Sequence, residues 1–115
     1  MHTITVYGIS NCDIIKKTLD WYKKKNIPVG FHDYKKEGID KEKLVQWSRE
    51  VGWESLLNKK STTWRSLAPE LQQKITNEKA AIQLMTEYTS IIKRPVVEVQ
   101  GKIIVGFNNT YFTKQ

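Results

Sequence analysis

The chain has one cysteine, Cys12, in 115 residues. An internal disulfide is thereby excluded, and a chain of this length can bury a core without one. Histidine is almost as scarce: His2 and His32 are the only two, and with one cysteine they offer no ligand spacing for a metal centre. No repeat, low-complexity stretch or linker breaks the sequence, so a single domain over 1–115 is expected. No apolar run approaches the length of a membrane span. The opening Met1-His2-Thr3-Ile4-Thr5 also lacks the basic and apolar regions of a secretory signal. The expectation is a cytoplasmic protein in a reducing compartment, monomeric and without a membrane partner.

Arginine is scarce too. The formal charge of +7 comes from 19 basic and 12 acidic residues, and 16 of the 19 are lysines scattered over every segment. The densest cluster, Lys23-Lys24-Lys25, falls at a predicted helix C-terminus, where cations are favoured locally. Nucleic-acid binding asks for basic residues gathered on one face, and no such stripe emerges. No nucleic-acid partner is expected.

What is present gathers around Cys12. Ile4, Val6 and Tyr7 with interleaved threonines read as a strand, broken by Gly8. Gly8 through Asn11 reads as a short loop. Ile14, Ile15, Thr18, Leu19 and Tyr22 then recur at helical spacing, with Lys16, Lys17, Asp20, Lys23 and Lys24 on the other side. Cys12 thus lies at or next to the first residue of an amphipathic helix. Unpaired N–H groups and the positive end of the helix dipole favour an anion there, and a thiolate is one. Side chains lean toward a helix N-terminus, so Lys16 should point back toward the sulfur and help ionise it. Asp13 acts in the opposite sense.

Asn26-Ile27-Pro28 ends the helix, and Val29 to Tyr34 reads as a second strand, making a βαβ unit with parallel strands. Lys35 to Ile39 reads as a charged loop. Asp40 is placed to cap a helix through about Val51, with Ile39, Leu44, Trp47 and Val51 on its apolar side, and Gly52 ends it. Trp53 to Leu57 is a short helical stretch, and Asn58 to Arg65 a polar surface loop. Ala68-Pro69-Glu70 starts a brief helix. A longer one follows from about Asn77 to Tyr88, with Ala81, Leu84, Met85 and Tyr88 as its buried stripe. Residues 40–88 therefore read as an all-helical insert in a core of about 1–36 and 90–115. Pro95 to Val99 and Lys102 to Val105 form a hairpin across Gln100-Gly101. Asn108 or Asn109 can cap a last helix through Phe112. Strand, helix, strand, helical insert, hairpin and helix is the order of a thioredoxin-like α/β fold with a mixed four-stranded sheet.

Each notable residue also has a plainer account. A lone cysteine is by default a small buried hydrophobe, but the strand-to-helix junction beside Lys16 favours reactivity. His32 is read as a packed strand residue, since no partner carboxylate is identifiable. Trp21, Trp47 and Trp53 sit among apolar residues and read as core. Trp64-Arg65, in a polar loop, is a candidate lid.

Several segments together resemble the arsenate-reductase-like (ArsC) family across the chain, and in particular its small YffB-type branch. They are Tyr7-Gly8-Ile9-Ser10-Asn11-Cys12-Asp13 with Lys16-Lys17, and Phe31-His32-Asp33-Tyr34. Gly52-Trp53 with Leu56-Leu57-Asn58-Lys59 follows, then Thr62-Thr63-Trp64-Arg65, Ile91-Ile92-Lys93-Arg94-Pro95-Val96 and Val105-Gly106-Phe107. The resemblance implies a thioredoxin fold with a helical insert, Cys12 as nucleophile, and Arg94 beside it before a cis Pro95. A guanidinium presents paired donors to an oxyanion or carboxylate. Arsenate reductases of the glutaredoxin-coupled type hold their oxyanion with three arginines, of which only Arg94 is matched here. The Cys-x-x-Cys switch of the similar Spx regulators is absent, since Asp13, Ile14 and Ile15 follow Cys12.

A thiol oxidoreductase is therefore expected. Cys12 and Arg94 are its catalytic residues, and Asn11, Lys16, Lys59 and Pro95 bind substrate. The Cys12 thiolate attacks a disulfide, a glutathione mixed disulfide or an oxidised small substrate. With no second cysteine, an outside thiol must resolve the adduct, which makes glutathione the expected co-substrate and glutaredoxin a further candidate partner. No tightly bound cofactor or metal is expected. The alternatives are a glutathione- and glutaredoxin-coupled arsenate reductase and a non-catalytic, Spx-like regulator that binds other proteins.

Overall fold

Ile4, Val6 and Val97 share one face of the pleated strands, and Tyr7 and Val96 on the other face are buried as well. In the computed structural model, which describes residues 3–107 and 110–113, Ile4, Val6 and Val97 form a core with Ile15, Tyr22 and Phe112. Strand β1 (Ile4–Gly8) runs into helix α1 (Asp13–Lys24) and on to strand β2 (Gly30–Asp33). Helix α1 buries Ile15, Thr18 and Tyr22 on one stripe. The buried Thr18 hydroxyl donates to the Ile14 carbonyl at 2.7 Å, so it costs no unmet hydrogen bond.

The sheet order is β2-β1-β3-β4, with β3 at Val96–Val99 and β4 at Lys102–Val105. β1 and β2 pair in parallel, with Tyr7 opposite His32 and Gly8 opposite Asp33. β1 and β3 are antiparallel, with Tyr7 opposite Val96, and β3 and β4 form the expected hairpin. Both hairpin residues have positive φ, Gln100 at 52° and Gly101 at 82°, as a two-residue type I′ turn requires. The sheet is mixed and thioredoxin-like, as the element order predicts.

Between β2 and β3 lie α2 (Tyr34–Glu37), α3 (Lys41–Val51), α4 (Trp53–Leu56), α5 (Thr62–Ser66), α6 (Pro69–Gln73) and α7 (Glu78–Glu87), then a single 3-10 turn at Thr89–Ile91. A short helix α8 (Thr110–Thr113) follows the sheet, and its expected caps, Asn108 and Asn109, lie outside the described residues. Contacts divide the chain into two compact units, Met1–Glu37 with Arg94–Gln115, and Gly38–Lys93. Among the described residues no helix is long and apolar enough to cross a membrane.

Four local expectations are corrected. Residues 35–39 were expected as loop, but Tyr34–Glu37 is a helical turn. Asp33 Oδ1 accepts the Lys35 N–H at 2.9 Å, and Glu37 Oε2 accepts the Asp33 N–H at 3.3 Å, a reciprocal cap that holds the turn. The polar stretch after Asn58 does not stay a loop either. The Ser61 hydroxyl accepts the Trp64 N–H at 3.1 Å and starts α5, which buries Trp64, so Trp64-Arg65 is not a loose lid. Tyr88 is 39% exposed at the end of α7 rather than buried. Asp40 occupies the N-cap of α3, but its side chain makes no capping bond.

Gly8 is where β1 meets α1. A Cβ there would collide with the Ile15 Cδ1 and stand 2.7 Å from its Cγ1. Ile15 is fully buried in the core, so it could yield only by shifting against its packed neighbours. Gly8→Ala is therefore expected to destabilise the chain by about 1–3 kcal/mol, the usual cost of overpacking. A urea-unfolding midpoint unchanged from the parent would refute this.

Candidate active site

The switch from strand to helix periodicity places Cys12 at the N-cap of α1, with extended backbone at φ −146° and ψ 127°. Its carbonyl accepts the first intrahelical bond, from the Lys16 N–H at 3.1 Å. Its side chain makes no capping bond, so the first N–H groups of this 12-residue helix have no side-chain acceptor at Cys12. The thiol is half-buried against the Ile15 core, neither sealed away nor fully open. Ser10 and Asn11 before it are exposed, while Ile9 anchors the loop in the interior. Lys16 is exposed one turn along α1, and its ammonium forms no ion pair among the described residues.

Arg94 is in the same unit as Cys12, separated from β3 by Pro95 alone, and is half-buried. Its Cγ lies 4.0 Å from where a Gly8 Cβ would stand, so the side chain runs past the end of β1 that leads into the Cys12 loop. The Arg94–Pro95 peptide bond is cis and Pro95 is buried, with its carbonyl accepting the Gly106 N–H at 2.8 Å.

Behind this sheet end is a group that the sequence did not reveal as one. Tyr7 and His32, opposite one another in the register, stack with ring centroids 4.9 Å apart. The Tyr7 hydroxyl donates to Glu98 Oε1 at 2.7 Å. Burial, then this carboxylate, raises the Tyr7 pKa far above the usual tyrosine value. Tyr34 completes the cluster, 6.4 Å from the Tyr7 ring and 6.0 Å from that of His32. Burial chiefly keeps its phenol protonated, with Tyr7 adding to the effect and the charge of Arg94 opposing it. His32 does have a carboxylate neighbour, contrary to expectation: Glu37 Oε2 is 3.8 Å from its Nδ1.

Lys59 belongs to the other unit. It is exposed, with its ammonium 5.7 Å from the centre of the Trp64 ring. It lines a cavity of about 510 Å³ with Glu54, Leu57, Asn58, Lys60 and Lys93. The walls are tied by the Leu57–Ile92 bridge, the Asn58 N–H to the Ile91 carbonyl at 2.7 Å, and the Lys93 N–H to the Leu56 carbonyl at 2.8 Å. Three ammonium groups against one carboxylate give this cavity an attraction for anions. Of these lysines only Lys59 was expected as a substrate-binding residue, and the sequence did not show that Lys93 joins it and Lys60. Only the long-range bridge brings them to one place.

The comparisons with known proteins bear on the whole chain. A protein of Haemophilus influenzae, itself uncharacterised, is 42% identical over 105 residues, covering 91% of each chain. The solved structure of a YffB protein superposes with a TM-score of 0.89 at 40% identity, covering 96% of both chains. The solution structure of an arsenate reductase (ArsC) related protein from Brucella melitensis gives 0.78 at 42% identity, covering 98% of this chain and 93% of that one. The ArsC family matches residues 7–114, and with these relatives the chain belongs to the ArsC family, with its arsenate-reductase-like thiol-oxidoreductase fold.

Proposed function

We propose that the protein is a glutathione-dependent thiol oxidoreductase whose one cysteine is resolved from outside. The observation that carries this is the half-buried Cys12 side chain at the N-cap of α1, uncommitted to any capping bond, in a chain with no second cysteine. The Cys12 thiolate attacks the glutathionyl sulfur of a mixed disulfide. A Cys12–glutathione disulfide forms, and the other sulfur leaves as a thiolate that takes up a proton. A second glutathione thiolate then attacks the bound glutathionyl sulfur, returning Cys12 as thiolate and releasing glutathione disulfide. The mixed disulfide is reduced and glutathione is oxidised, so the electrons balance without a metal.

The positive end of the α1 dipole and the exposed Lys16 on the same helix present positive charge on the side of the helix start where Cys12 stands. Arg94 offers a planar fork to a carboxylate of glutathione. Asn11 directly precedes Cys12 and Pro95 directly follows Arg94, and in this reading they shape where the tripeptide lies.

The test is turnover of the mixed disulfide of glutathione and 2-mercaptoethanol, with glutathione as reductant. Mass spectrometry of the protein quenched during turnover should find one glutathionyl group, on Cys12. Turnover with no such adduct, or no turnover, would reject the proposal. A second reading, reduction of arsenate or another oxyanion, draws support from the lysine-lined cavity around Lys59. Supplying arsenate with glutathione and glutaredoxin separates the two, because only the second reading yields arsenite.

A further inference from the structure

Trp21 is packed on one side and open on another. Its ring meets Tyr22 and Phe112 edge-on, with centroids 4.9 Å and 5.0 Å away, yet the residue is only half-buried. Phe107, whose ring is 4.7 Å from that of Phe112, is half-buried as well. Trp21 and Phe107 line a cleft of about 230 Å³ whose other walls are Lys17, Asp20 and Lys24. All five residues belong to the unit that holds the sheet. Packing on Tyr22 and Phe112 accounts for the inner edge of the Trp21 ring and leaves its open part unexplained.

Size and charge narrow what fits. Sites that enclose a whole cofactor run to about 300–1,000 Å³, so this smaller cleft suits one ring or one branched side chain. Its rim is basic. Lys17 and Lys24 are exposed and the Lys25 ammonium stands 5.0 Å over the Trp21 ring, against the carboxylate of Asp20. Asp20 pairs with Lys24 at 3.2 Å, but both side chains are largely exposed, and such a pair holds its lysine weakly. Lys17 forms no ion pair among the described residues.

The spacing of these charges matters too. Lys17 and Lys24 lie seven residues apart on one face of α1, which separates them by about 10 Å along its axis. A nucleotide's phosphates call for donors that converge on one point. Donors spread along a helix suit carboxylates spread along a chain. In an extended segment, residues i and i+4 point to the same side about 13 Å apart, within reach of two long lysines, and residue i+2 points the same way between them.

We propose that the Trp21–Phe107 cleft docks an extended acidic segment of a partner protein. One aromatic side chain of that segment seats against the two rings, and carboxylates two positions to either side meet Lys17 and Lys24. An aromatic anchor in a small pocket carries much of the energy of such contacts, and the basic rim adds specificity and rate. The chain's formal charge of +7 steers an acidic partner toward this face and opposes a second copy of the chain there. None of the lining residues is assigned to glutathione, so the inference stands apart from the thiol chemistry.

The experiment is an NMR titration of the full chain with the peptide Glu-Ser-Phe-Ser-Glu, blocked at both ends. The Trp21 indole N–H is identified by its loss in Trp21→Phe. It and the Phe107 amide are expected to shift saturably. The paired substitution Lys17→Glu and Lys24→Glu, at exposed positions that the fold does not need, should raise the half-saturating concentration at least about tenfold. Serine in place of the peptide's phenylalanine should do the same. Lys35→Glu with Lys36→Glu makes the same charge change on α2, where both lysines are exposed, and should leave binding within about twofold of the parent. No saturable shift, shifts centred away from Trp21 and Phe107, or an equal loss in both lysine pairs overturns the proposal. Self-association of the peptide-free chain that the Lys17→Glu and Lys24→Glu pair abolishes would give the face to a second copy and overturn it likewise.

Discussion

Cys12→Ser is expected to lower disulfide reduction by about a thousandfold or more, since the hydroxyl cannot replace the sulfur as attacking atom or as leaving group. The same substitution should leave the protein as stable as the parent or more so. Cys12 occupies the N-cap of α1 without capping it, and serine is among the best N-cap residues. Its oxygen can accept from an N–H of the first turn, a gain of about 0.5–1 kcal/mol. Loss of activity with a raised unfolding midpoint is thus the signature of a cysteine held at a helix start for its chemistry rather than its packing. Retained turnover in Cys12→Ser would end the thiol mechanism, and protein binding that survives it would favour the regulator alternative.

Arg94→Ala should be the next most damaging change. A charge-assisted, two-pronged contact to a carboxylate is worth about 1.5–3 kcal/mol, so KM for the glutathione substrate should rise roughly 10-fold to 100-fold. Arg94→Lys keeps the charge and loses the planar fork, and should recover only part of this. The split between the two variants, measured by steady-state kinetics across glutathione concentrations, separates bidentate recognition from simple attraction. Identical kinetics for Arg94→Lys and the parent would make the guanidinium geometry irrelevant. An unchanged KM in Arg94→Ala would remove Arg94 from the site.

Much of this site is legible in the sequence because its signals are local. The change of period from two to 3.6 brackets Cys12 and puts it at a helix start. The paired strands around Gln100-Gly101 announce their turn in the same way, although the positive φ of Gln100 was not foreseen. What the sequence concealed depends on contacts between distant residues or on caps that resemble loops. Tyr34 looks like the end of a strand, yet the bonds between Asp33, Lys35 and Glu37 turn it into the start of a helical turn in which it is buried. Trp64 looks solvent-exposed because polar residues surround it, yet one of them, Ser61, caps the turn that buries it. Lys60 and Lys93 meet at one cavity only through the Leu57–Ile92 bridge.

The most direct test of Cys12 as a working nucleophile is its rate of alkylation by iodoacetamide at neutral pH. It should be measured in the folded chain, in the urea-unfolded chain, and in the folded chain with increasing S-methylglutathione. A half-buried but inert thiol reacts no faster folded than unfolded. A thiolate held at the α1 N-terminus reacts faster folded, and a bound glutathione analogue shields it. The expected result is a folded rate at least about tenfold above the unfolded one, with saturable protection. A folded rate at or below the unfolded rate, with no protection, would contradict the account at its centre.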